Sequence, residues 1–80
     1  MNGEGWRYDR ETDRWILAGR ELHCGDGLEV HVGTCWLPVR IELDQRHGWL
    51  LYTDDDTVRI LPSRSLTVRH ERERQRRNWP

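Results

Sequence analysis

Two histidines and two cysteines fall in one stretch of the chain, His23, Cys24, His31 and Cys35, and are the first residues to test for chemistry. Together they form a zinc-like ligand inventory. Structural zinc sites take their ligands as pairs with short spacers, C-x₂₋₄-C knuckles above all, and these spacings do not follow that pattern. No metal site is expected, and the two thiols are assigned half-buried packing roles of the kind free cysteine often fills. His23 beside Cys24 also suggests a base and a nucleophile. Neighbours on an extended chain point to opposite faces, so the activating hydrogen bond is out of reach. Neither a third orienting group nor an oxyanion hole is evident, and the chain is read as non-catalytic and free of cofactors. Asp54-Asp55-Asp56 could ligate a divalent cation. A calcium loop spreads its ligands over about twelve residues with a glycine hinge and a distal Glu, a pattern missing here, so the triplet reads as a solvated turn.

A second set can do binding chemistry, and the strands that carry it can be counted out. Leu28-Glu29-Val30-His31-Val32 alternates with period two and places three apolar residues on one face. Gly33-Thr34 suits a two-residue type II′ hairpin turn. Pairing Val32 with Cys35, Val30 with Leu37 and Leu28 with Val39 makes every pair on that face apolar. A one-residue slip would turn Glu29 and His31 inward. Past the turn at Asp44 to Gly48, Leu43 faces Trp49 and Ile41 meets Leu51 inside, while Arg40 lies opposite Tyr52 outside. The register therefore predicts an outward binding surface of Trp36, Arg40, Tyr52 and His31, aromatics beside charge. The competing expectation is that another element covers Trp36 and makes a second small core of it.

That element is an N-terminal hairpin. Trp6-Arg7-Tyr8 and Arg14-Trp15-Ile16-Leu17 flank a polar turn at 9–13. An isolated hairpin is unstable in water, so it must pack through Trp6, Tyr8, Trp15 or Leu17. Further strands are expected at Val58-Arg59-Ile60 and Leu66-Thr67-Val68, separated by an irregular step in which Pro62 marks a strand end. The fold class is therefore all-β. Five short strands over 28–68, preceded by the hairpin, predict a small SH3-like barrel, with an open meander sheet as the alternative. Residues 1–68 form one small domain and 69–80 an Arg-rich C-terminal arm, short and helical or extended, with an i,i+4 pair from Glu73 to Arg77.

Composition narrows the function classes. The chain has 80 residues, 35% hydrophobic and 34% charged, enough for one thin core and too few for a two-domain enzyme or a buried large cofactor. No apolar run approaches the roughly 20 residues that span a bilayer. The polar start, Met1 to Arg10, has no apolar signal segment, so a cytoplasmic location is expected. Residues 1–68 carry 8 Arg against 12 acidic residues, whereas 69–80 carry 5 Arg against 2 Glu. An acidic body lacks the positive face of a general DNA binder. The arm, with Arg69, Arg72, Arg74, Arg76 and Arg77, could still reach phosphates or an acidic protein.

The stretch Glu21-Leu22-His23-Cys24-Gly25-Asp26-Gly27-Leu28-Glu29-Val30, followed by Gly33, Trp36, Pro38, Arg40, Ile41 and Glu42, resembles a known pattern. It is similar to a bacterial domain-of-unknown-function family of small proteins, often encoded on phages and integrative elements. The resemblance covers roughly Trp6 to Ile60 and includes the Tyr8 to Trp15 hairpin. It implies a phage or mobile-element origin and assigns no activity, catalytic residue or cofactor. The expected function is a non-catalytic module acting by protein–protein contact, a regulator or inhibitor. The alternative is a nucleic-acid accessory protein that uses the Arg-rich arm.

Overall fold

The computed structural model describes residues 5–71, and every described element is a strand. The strands are β1 (Arg7–Asp9), β2 (Arg14–Leu17), β3 (Arg20–Glu21), β4 (Gly27–Val32), β5 (Cys35–Asp44), β6 (Gly48–Thr53), β7 (Arg59–Ile60) and β8 (Val68–His70). They form two antiparallel sheets: β1-β2-β3, and the five-stranded β7-β6-β5-β4-β8. From β4 to β7 the chain is a meander. It then crosses back over 61–67 to lay β8 beside β4, opposite the side taken by β5.

The central register follows the apolar alternation. Leu28 pairs with Val39, Val30 with Leu37 and Val32 with Cys35, and across the next turn Ile41 pairs with Leu51 and Arg40 with Tyr52. Leu28, Val30, Val39, Ile41, Leu51 and Val68 are buried on the inner face, which the N-terminal sheet covers with Trp6, Trp15 and Leu17. Trp6 and Trp15 stack with centroids 4.3 Å apart. A buried indole N–H usually takes a partner, and for Trp6 and Trp49 the acceptors are backbone carbonyls. Trp6 Nε1 donates to Ser63 O at 2.8 Å, and Trp49 Nε1 donates to Asp13 O at 2.9 Å. Asp13 sits in the left-handed region, φ 57°, within the β1–β2 turn, and so turns its carbonyl toward Trp49.

Three expectations need correction. The last strand is Val68–His70 rather than 66–68, so Arg69 of the expected arm is a sheet residue. Cys24 and Cys35 are exposed, not half-buried. The Val32:Cys35 pair closes the β4–β5 hairpin beyond the core, where Val32 is itself exposed, so apolar alternation there buries nothing. Among the described residues, β7 and β8 are the outer strands of their sheet and pair with β6 and β4 respectively.

Candidate functional site

The N-terminal sheet covers the inner face, which leaves the outer face of the five-stranded sheet to carry the expected set. Strand alternation puts Glu29 and His31 of β4, Trp36, Pro38, Arg40 and Glu42 of β5, Leu50 and Tyr52 of β6, Arg59 of β7 and Arg69 of β8 on that side. His31 and Trp36 are direct cross-strand partners, with ring centroids 4.9 Å apart. Trp36 is half-buried. Its cover comes from Arg69, whose guanidinium carbon lies 3.8 Å from the indole centroid, and the hairpin indoles lie on the other face.

Arg69 is itself fixed. Its Nε donates to Glu29 Oε1 at 2.5 Å, across the β4–β8 pair that sets these residues opposite each other. Glu29 is 0% exposed, and its Oε2 is buried without a hydrogen-bond partner. Alternation places Glu29 on the outer face, as found, and does not say whether that position is buried. The signal for its burial lay in the pairing of β8, which brings Arg69 over it.

Arg40 forms a second such assembly. Its guanidinium lies 5.4 Å from the Tyr52 ring centroid and donates to Glu42 Oε2 at 2.9 Å, Asp56 Oδ1 at 2.5 Å and Thr53 O at 3.2 Å. Asp56, then Glu42, hold its pKa above the ordinary arginine value. The charge expected to meet a partner is thus already neutralised. The two assemblies face the same way, and each presents an aromatic ring with a guanidinium locked against it.

The Asp54-Asp55-Asp56 triplet has structural work beyond a solvated turn. Asp55 accepts from Thr57 Oγ1 at 2.7 Å, Thr57 N at 3.1 Å and Thr53 Oγ1 at 2.9 Å, and these bonds lower its pKa. Asp56 adopts φ 63° and reaches Arg40. Among the described residues, no group of three or more His, Cys, Asp or Glu is arranged to hold a metal ion. His23 and Cys24 lie exposed in the link before β4, where Asp26 Oδ2 accepts from the His23 backbone N–H at 2.8 Å. Arg72, Arg74, Arg76 and Arg77 of the expected arm lie outside the described residues. No described helix is long and apolar enough to cross a membrane.

One protein family, described as a domain of unknown function (DUF5348), matches residues 5–70. The match takes in both sheets, from the residue before Trp6 to the end of β8. No curated protein and no solved structure matches the chain.

Proposed function

The chain belongs to this DUF5348 family, and we propose that it is a non-catalytic protein-binding module, a regulator or inhibitor carried by a phage or mobile element. We read the meander with its returning strand as a small SH3-like barrel, a scaffold suited to binding through exposed aromatics beside charge. The observation that carries the reading is the pair of fixed aromatic assemblies on one open sheet face, Trp36 under Arg69 and Tyr52 under Arg40. Rings held in place before binding lose little freedom when a partner arrives. Trp, Tyr and Arg are also the residues most enriched among interface hot spots.

The structure of the site shapes the chemistry proposed for it. With Arg40 and Arg69 matched to carboxylates, the partner meets aromatic surface, with His31 at the margin, and contributes an apolar anchor. Binding of that kind depends weakly on salt. Phosphate contacts would instead give a steep loss of affinity with rising salt. The experiment is to isolate the partner from the source host by crosslinking. Its affinity is then measured for the wild type, Trp36→Ala and Tyr52→Ala, with DNA and RNA titrated in parallel over a salt series. Loss of at least about 2 kcal/mol on Trp36→Ala, on the hot-spot scale, with folding intact, supports the reading. Tight, salt-sensitive nucleic-acid binding that ignores Trp36 overturns it in favour of an Arg-driven accessory role.

A further inference from the structure

The two outer strands of the five-stranded sheet are finished differently. The far side of β8 is covered: β2 packs against it, and His70 Nε2 lies 3.1 Å from Leu17 O. Among the described residues, β7, the other outer strand, packs against β6 alone. The hydrogen-bond pattern says which backbone groups of β7 are committed. Thr53 N donates to Val58 O at 3.0 Å, and Val58 N donates to Thr53 Oγ1 at 3.2 Å, so Val58 turns its backbone groups toward β6. Antiparallel pairs alternate between bonded and non-bonded. The next pair, Tyr52 with Arg59, is therefore non-bonded, and the N–H and C=O of Arg59 face the open side.

β7 is a two-residue edge strand with one charged side chain, Arg59, and an exposed apolar residue on each flank. Exposed edges are commonly blunted by charge or proline on the edge itself. Here Pro62 comes only after an exposed apolar residue, Leu61, at 69% relative exposure, and Val58 on the other flank is exposed as well. Leu61, Leu50, Arg59 and His47 line a shallow groove of about 240 Å³. Leu50 forms its apolar floor, although it sits on the outer face opposite Glu42. The His47 ring is held by Asp44 at 3.2 Å, and no described carboxylate pairs with Arg59.

We infer that β7 is a docking edge for an extended segment of a partner protein, which adds a strand beside Arg59 and carries an acidic side chain opposite Arg59 and an apolar one opposite Leu61. The backbone of Arg59 supplies a donor and an acceptor to the added strand. The guanidinium of Arg59 selects the acid, and the groove over Leu50 takes the apolar side chain two residues away, on the same face. The inference deepens the protein-binding reading, because Arg59 lies directly across from Tyr52 and the added strand would extend the same outer face.

The probe is a blocked synthetic extended peptide with Glu and Val two residues apart, on one face, and Thr at the intervening positions, titrated into the isotopically labelled full chain and followed by amide chemical shifts. Controls are the same peptide with Lys for Glu, and one N-methylated along the hydrogen-bonding edge. The expected result is saturable shifts at Val58 to Leu61, with binding weakened about tenfold or more by either control and by Arg59→Glu. The Lys peptide should regain affinity for Arg59→Glu. Arg59→Pro, which removes the outward N–H together with the guanidinium, should abolish binding of both the Glu and the Lys peptide while the β6 amides keep their positions. Trp36→Ala should leave the peptide's affinity unchanged, so a failed edge and a failed Trp36 surface give different results. Shifts confined to Trp36 and Tyr52, equal binding of the Lys peptide, or concentration-dependent pairing of the chain with itself in place of peptide binding would each overturn the inference.

Discussion

Arg69 Nε and Glu29 Oε1 are 2.5 Å apart across the β4–β8 pair, 40 residues apart in sequence, and the carboxylate has no exposed surface. Removing one partner of a buried ion pair leaves an uncompensated charge, which costs more than the pair contributes. Arg69→Met should therefore destabilise the fold by about 3–5 kcal/mol. The double variant Glu29→Met, Arg69→Met should recover most of that loss. Urea unfolding of the two variants measures the difference, and an equal loss in both would show that Glu29 tolerates isolation.

The inner face makes a simpler demand. Ile41 is fully buried between Val39 and Leu43 along β5 and opposite Leu51. Ile41→Ala should cost about 2–5 kcal/mol, a large share of what a domain of this size has. An unchanged melting temperature would contradict the packing described.

Acid should weaken the β6–β7 turn through Asp55. Hydrogen bonds from the Thr57 side chain and backbone, then from Thr53, hold its folded pKa below the usual carboxylate value. With the folded pKa depressed, the stabilisation is complete above the unfolded value near about pH 4 and is lost as pH falls through the folded value. The melting-temperature gap between wild type and Asp55→Ala should accordingly be widest at neutral pH and close in strong acid. A constant gap across that range would remove ionisation from the explanation.

Trp36→Ala should change stability little, because Trp36 is only half-buried and its main structural contact is the stacked Arg69. A cation–π contact is worth about 0.5–2 kcal/mol. A small fall in melting temperature with a large fall in partner affinity is the expected pair of measurements. A collapse of the fold would assign Trp36 a strut's role.

Cys24 and Cys35 are both exposed, so replacing them together by Ser should shift stability by no more than about 0.5 kcal/mol, as surface substitutions usually do. Thermal melts with and without a chelator check this. Chelator-induced unfolding of the wild type would reveal a metal role.

The central registers were legible in the sequence because the alternation from Leu28 to Leu51 allows one pairing that keeps Glu29 and His31 off the inner face. The Trp6 to Leu17 hairpin was legible because its aromatics flank a polar turn. The burial of Glu29 was not legible, for the reason that made the rest readable. Period-two alternation distinguishes two faces and cannot say whether the second face is wet. Its burial depends on Arg69, and the position of β8 is set by non-local pairing that Leu66-Thr67-Val68 imitates locally. Cys35 shows the converse error, an inner-face position that lies past the end of the core. Arg40 was rightly placed beside Tyr52, but its tie to Asp56 runs to a residue in the left-handed region, a conformation that a run of three aspartates does not specify.

The bond from Trp6 Nε1 to Ser63 O joins groups 57 residues apart. During synthesis the first hairpin leaves the ribosome long before its acceptor exists. Its indoles, with the face of the sheet they will cover, must wait until residues 63–70 have emerged. Non-local closure of this kind slows folding relative to chains with local contacts and leaves apolar surface exposed in the interval. The domain should therefore acquire its structure late and in one step, and a nascent chain stalled before Ser63 should remain sensitive to protease along its whole length.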